Sequence, residues 1–505
     1  MPKLEPHPAR APRRAAALRL AVAGAVACAL LAAAGGATAA TTLPAEPVLS
    51  APIDITFGIE RVRLPGDEAM GLVGSSVLLE AAPGLWVGPA LYGAASGQRG
   101  GLFTWGAEMQ YRWPLAPRWQ LVGGLYAGGG GGAAAPVGGG LMLRPHLDVM
   151  HSFGGWALGV SASRVDFPSG AIASNQFGLV ASFNDSFRFT APGAGLRSAQ
   201  FDGPAGLGLS HLAFSAGHYA AVAGHGAFST VGVQAEWPLQ GPLSATAQAA
   251  GAAHGAADGY AEFGAGLLAL WPAGDARLRW GLHGSVGMGG GGGVASGGGA
   301  LARLALVGRL RLTPDWTIDL QAGRVQAFSG DFRTGYVGVS LGTDFGRPGA
   351  AGAVQGALLH DTEWSLGVES YARAARKTGG DASLSAVSLD VRRMLDEHLY
   401  VVGRAVSAFS GGAGAYSVGL VGMGASLPLG AGERWRAGAE LTAGAAGGGG
   451  VASEGGAVLE PLAWTSVASG RFSRLRLSLG WVKSVRGELS SPVAGLAWST
   501  AFGTP

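Results

Sequence analysis

The chain has 505 residues, of which 91 are glycine, against an average glycine share of about 7%. Charged residues make up 13% and apolar residues 48%; this excludes a charged disordered chain, and the lack of a three-residue glycine period excludes collagen. The formal charge of +3 is concentrated at the N-terminus. Residues 1–39 hold five of the 35 basic residues and one of the 32 acids, so the rest carries 30 basic and 31 acidic residues and offers no basic footprint for nucleic acid.

Taken in chain order, residues 1–39 read as a cleaved secretory signal. Lys3, Arg10, Arg13, Arg14 and Arg19 form a basic leader, Leu20 to Ala34 is uncharged and apolar, and Ala37-Thr38-Ala39 supplies a small-x-small cleavage site. An uncleaved anchor is the rival, but the run is short for one. The only cysteine, Cys28, lies inside this segment, and Ala25-Val26-Ala27 before it is a poor lipidation motif. The exported remainder then has no disulfide and no thiolate metal site.

Beyond the signal, one unit repeats three times. Glycine runs occur at 128–140, 289–299 and 447–456. Upstream of them stand Trp113-Pro114, Trp271-Pro272 and Leu427-Pro428, each followed by Arg118-Trp119, Arg279-Trp280 or Arg434-Trp435. Downstream, Arg144, Arg303 and Glu460 share a position, and Gly170, Gly330 and Gly487 each precede Gly178, Gly338 and Gly495 by eight residues. The units are expected at 40–190, 191–346 and 347–505.

Each unit is patterned as strands. Trp156, Leu158 and Val160 alternate with Ala157, Gly159 and Ser161; Trp316, Ile318 and Leu320 with Thr317, Asp319 and Gln321; Leu475, Leu477 and Leu479 with Arg474, Arg476 and Ser478. A period of two places the members of each pair of sets on opposite faces. The third unit divides into eight segments: 363–372, 383–393, 398–407, 414–428, 434–446, 455–467, 472–484 and 491–502. The inner set is small or polar, tryptophans (Trp113, Trp237, Trp271) sit beside turns, and no second apolar layer is available. This favours an all-β transmembrane antiparallel barrel over a soluble sandwich. Eight strands per unit allow three small barrels or one of about 24 strands. The long joins, Arg188 to Leu207 and Gly346 to Asp361, incline the choice to three.

The last segment, Gly495-Leu-Ala-Trp498-Ser-Thr500-Ala-Phe502, resembles the C-terminal signal strand of bacterial outer-membrane β-barrel proteins. It departs from that pattern by continuing to Gly503-Thr504-Pro505. Gly338 to Phe345 and Gly178 to Phe187 are similar strands. The resemblance implies insertion by the barrel-assembly machinery, with Gly495, Trp498, Thr500 and Phe502 as the recognised residues, and an outer-membrane address in contact with outer-membrane lipid.

No chemistry-bearing motif stands out. The glycine runs lack the Gly-Lys-Ser/Thr and strand–loop–helix context of a phosphate loop; they read as sharp bends or rim loops. His211, His218 and His225, with Ser210 and Ser215 nearby, allow a metal site or a lipid-modifying hydrolase. Their odd spacing of seven puts successive histidines on opposite faces of a strand, and the other units do not repeat them, so turn or loop histidines are the expectation. Arg144, Arg303, Glu460 and Asp319 are expected as interior charges, the arginines pairing with acids such as Asp148 or Asp319 rather than binding an anion. The function expected is non-catalytic and cofactor-free: a channel, or a structural or export component of the envelope, with polysaccharide or small solutes as candidate partners. A lipid-modifying enzyme and a secreted glycine-rich adhesin are the alternatives.

Overall fold

A computed structural model describes residues 46–193, 195–221, 226–345, 357–430 and 434–505. The expected signal segment and His225 lie outside them. The described chain forms three closed barrels of eight antiparallel strands, each strand paired with its sequence neighbours and the last with the first. The barrels run from Leu49–Arg63 to Ala173–Phe189, from His211–Tyr219 to Arg333–Asp344, and from His360–Ala375 to Ser490–Thr504. Their closing seams pair Ile59 with Leu179, Gly217 with Gly338 and Glu369 with Gly495. Of the two architectures the sequence allows, the chain adopts three small barrels.

Alternation drives this closure. In the strand Ser473–Ser484, Leu477 is 52% exposed and Leu479 61%, while Arg476 between Leu475 and Leu477 is 3% exposed. The apolar set points outward and the charged set inward, the reverse of a soluble core. Phe57, Leu179, Val337, Leu320, Val368 and Leu496 belong to the same outer belt. A closed barrel also leaves no unpaired strand edge, which a hydrocarbon environment requires.

Eight strands return each barrel's ends to one rim, the near rim. Turns there are short, such as 83–84, 117–118 and 153–155, whereas far-rim loops such as 97–102, 132–141 and 409–416 are longer. Trp113, Trp119, Trp271, Trp280 and Trp435 stand part-exposed beside near-rim turns, as an interfacial aromatic belt does. Trp237 differs: it donates from Nε1 to the Leu207 carbonyl at 2.8 Å.

The barrels pack in a ring with a repeated contact. The third strand of the first barrel (Leu85–Ser96) meets the fifth and sixth of the second (Asp275–Gly290, Ala300–Arg311). The third strand of the second (Leu243–Gly255) meets the fifth and sixth of the third (Trp435–Gly447, Ala457–Ala468), and the third strand of the third (Leu399–Ala408) meets the fifth of the first (Trp119–Gly131). One head-to-tail contact used three times closes a pseudo-threefold ring within one chain.

The glycine runs turn at the far rim, with positive φ at Gly130, Gly131, Gly132, Gly291, Gly292 and Gly293, as expected of bends or rim loops, and they also form part of these seams. A Cβ at Gly100 would stand 2.6 Å from the Gly297 carbonyl oxygen of the next barrel, and one at Gly129 2.5 Å from that of Ser407. Gly100 N–H donates to Gly297 O at 2.8 Å, and Lys377 Nζ reaches Asp258 at 2.7 Å across the remaining seam. At the near rim the two joins pair Ser198–Ala199 with Ala357–Leu358, and Arg197 binds Asp361 at 2.5 Å. Phe187 of the first barrel packs there on Trp364 and Phe502 of the third, with ring centroids 5.4 and 4.9 Å away.

Candidate functional site

The inward residues of each barrel converge on its axis, and the lumens are where unusual chemistry concentrates. In the first barrel Arg144 lies on strand Met142–Ser152 and donates to both oxygens of Glu60 at 2.9 and 3.0 Å. Tyr92 stacks beneath the guanidinium and donates to Glu108 at 3.1 Å. Asp148 does not reach Arg144; it takes His146 Nδ1 at 3.0 Å. Arg112, over the Trp86 ring, pairs with Asp54 nearer the near rim.

The second barrel repeats the theme with different residues. Arg303 pairs with Glu262 at 2.5 Å and lies over the Tyr336 ring. Asp319 does not serve Arg303. Arg309 holds it at 2.7 Å and Glu236 at 2.5 Å. His211 and Glu236 are cross-strand partners, so the imidazole enters the same layer. His211 and His218 lie in strand His211–Tyr219 rather than in a turn, His211 buried inside and His218 exposed outside. Ser210 Oγ donates to the Glu236 carbonyl at 3.0 Å, not to a histidine.

In the third barrel Arg404 is the hub. It binds Glu369, Asp390 at 3.1 Å and Glu460 at 2.5 Å. Arg392 joins Asp390 at 3.1 Å to Glu440 at 2.6 Å, and Arg476 pairs with Glu363 while stacking on Trp464. The repeated position is thus an inward cation in two barrels, buried at Arg144 and half-buried at Arg303, and a buried anion in the third. Arg404, Arg392, Arg309, Glu60 and Glu236 were not singled out by sequence. Their only sequence mark is a charge in step with the small or polar inner set.

Toward the far rim, aromatic and aliphatic side chains fill each lumen: Tyr126 and Phe167 in the first, Tyr219, Phe228, Tyr260 and Phe332 in the second, Tyr371 and Tyr416 in the third. Cavities of about 20 Å³ beside Arg144 and about 50 Å³ beside Arg303 remain. Such volumes hold one to a few waters, not a solute stream. The signal-strand residues Gly495, Trp498, Thr500 and Phe502 lie in the last strand, Ser490–Thr504. Trp498 faces out, and Phe502 is buried against the first barrel.

No family model matches the chain, and no curated protein matches it. Solved structures aligned with it include OccAB3 of Acinetobacter baumannii, at 9% identity and a TM-score of 0.22, covering 90% of this chain and 99% of that one. Pseudomonas aeruginosa OpdQ aligns at 10% identity and a TM-score of 0.21, covering 91% and 98%. OccK11 (OpdR) of P. aeruginosa aligns at 12% and 0.21, covering 92% and 99%. At these scores the superpositions carry no argument, and the fold is read from this chain's own strand pairing.

Proposed function

We infer that the chain is a non-catalytic outer-membrane β-barrel protein of the bacterial envelope, acting as a structural element rather than an open pore. The observation that carries this reading is the combination of an apolar outer belt with filled, ion-paired lumens. The belt demands hydrocarbon around all three barrels. Among the described residues, ion-paired side chains and aromatic clusters fill each lumen, which supports the reading without an open pore. Short near-rim turns face the periplasm and long loops face outward. Outer-membrane lipid surrounds the bundle, and the barrel-assembly machinery inserts it through the strand carrying Gly495, Trp498, Thr500 and Phe502. Envelope polysaccharide at the outward loops suits a structural role.

Planar-bilayer recording tests the choice between scaffold and channel. Purified protein inserted at nanomolar concentration is expected to give no stepwise conductance. Regular steps from the wild type would establish a channel and overturn the filled-lumen reading.

A further inference from the structure

At the near-rim end of the second barrel, three ligand-type side chains converge without a ligand being assigned to them. A nitrogen of His211 and carboxylate oxygens of Glu236 and Asp319 all lie within 4.8 Å of one another, and all three residues are buried. Donor atoms about 2.0–2.2 Å from one divalent ion stand closer together than this, so binding would draw the three side chains inward.

The histidine supplies the independent observation. His211 is 2% exposed, and its Nε2 has no hydrogen-bond partner. Its Nδ1 lies 2.8 Å from Asp344 Oδ1 on the adjoining strand. A carboxylate accepts, so Nδ1 carries a proton, and in the neutral imidazole Nε2 is the nitrogen that keeps a lone pair. A carboxylate orienting an imidazole from behind, with the other nitrogen free, is the usual support of a metal-bound histidine. Glycine at 342 makes room for the ring, since a Cβ there would collide with Nε2.

Repeat symmetry sharpens the contrast. Six residues before Glu60, Gly217 and Glu369, which face Gly178, Gly338 and Gly495 across the seams, stand Asp54, His211 and Glu363. Asp54 meets Arg112, and Glu363 meets Arg476. In the second barrel the equivalent position carries an imidazole, with one ring nitrogen within 4.8 Å of the Glu236 and Asp319 carboxylates. Arg309 binds those carboxylates at 2.5–3.1 Å, which holds two like charges in ligand range. Each oxygen has a second lone pair.

We propose that the second barrel binds one divalent first-row transition-metal ion through His211 Nε2, Glu236 and Asp319, with Asp344 positioning the imidazole. One nitrogen and two oxygen donors suit zinc, cobalt, iron or manganese; the imidazole disfavours magnesium and calcium. The ion is structural, tying strands one, two and seven of that barrel together.

The test uses the full chain, purified folded in detergent, stripped with a chelator and titrated with Zn²⁺ and with Co²⁺. One ion per chain is expected, with visible ligand-field bands for Co²⁺. His211→Asn is expected to abolish stoichiometric binding, Asp344→Asn to weaken it about 10–100-fold, and His218→Asn, on the outer face, to leave it unchanged. Heat-modifiable gel mobility verifies that each variant folds. If His211→Asn does not fold, the wild-type stoichiometry and Asp344→Asn decide. Folded wild type that takes up no ion, or binding indifferent to His211→Asn and Asp344→Asn, would overturn the proposal and leave His211 as a filler of the ion-pair layer.

Discussion

Arg404 answers three carboxylates at once, so its removal leaves the buried Glu369, Asp390 and Glu460 without their shared counter-charge. Arg404→Met is expected to lower stability by about 3–5 kcal/mol, the usual cost of breaking a buried charge network from one side. The urea midpoint of the heat-modifiable band reads this directly; an unchanged midpoint would mean that the network is dispensable. At the turn 395–398, outside the barrel wall, Asp396 accepts N–H bonds from Leu399 and His398, which hold its carboxyl below the ordinary value. A depressed pKa stabilises the fold above the unfolded value of about 3.9 and ceases to do so as pH falls through the folded value. The wild type should therefore hold a small advantage over Asp396→Ala near neutrality that fades as pH falls below the unfolded value of about 3.9, measured as paired denaturation midpoints. Arg144, Arg303 and Glu460 were legible in the sequence because they share a repeat position. Their partners were not: Glu60 lies 84 residues from Arg144, and only barrel closure brings them together. His211 was expected in a turn or loop and instead begins a strand, and its layer of Glu236, Asp319 and Asp344 is assembled from three other strands.

At the scale of the element, period-two alternation was enough to find the strands. The expected 383–393 and 472–484 became Asp381–Met394 and Ser473–Ser484. The expected 414–428 became Ser417–Leu429, because residues 409–416 form a far-rim loop. Apolar and small residues run through such loops as well as through strands, which blurs the boundary. The glycine runs were conspicuous, yet their role depends on surfaces contributed by a different unit and has no local signature. Gly129→Leu is expected to force the first and third barrels apart at the far rim, since its Cβ alone would press on the Ser407 carbonyl. Overpacking of this kind costs about 1–3 kcal/mol. Each barrel should stay closed while protease cleaves the joins faster. Unchanged cleavage together with an unchanged midpoint would remove the seam from the account.

For the whole molecule, triplication and ring packing belong to one design. A single repeated head-to-tail contact would assemble three separate eight-stranded barrels into a closed trimer; covalent linkage fixes their ratio and order. The sequence displayed the triplication and the even strand number per unit, but a 24-stranded barrel satisfies both. What decides between them is whether the first strand of each unit pairs with the last strand of its own unit or with a neighbouring unit. That is a question of register, and local pattern does not encode it. The pairing of Val368 with Leu496 closes the third barrel, and both side chains face outward. Cys28 is the only other cysteine in the sequence, so the cysteine pair is placed in a Cys28→Ser background that leaves no competing thiol. The most direct measurement is oxidation of Val368→Cys/Leu496→Cys in outer membranes, beside the hairpin control Leu475→Cys/Trp498→Cys, which joins neighbouring strands in either architecture. Three closed barrels predict that both pairs form intrachain disulfides. A control that crosslinks while the 368–496 pair stays reduced would contradict closure of the third barrel on itself.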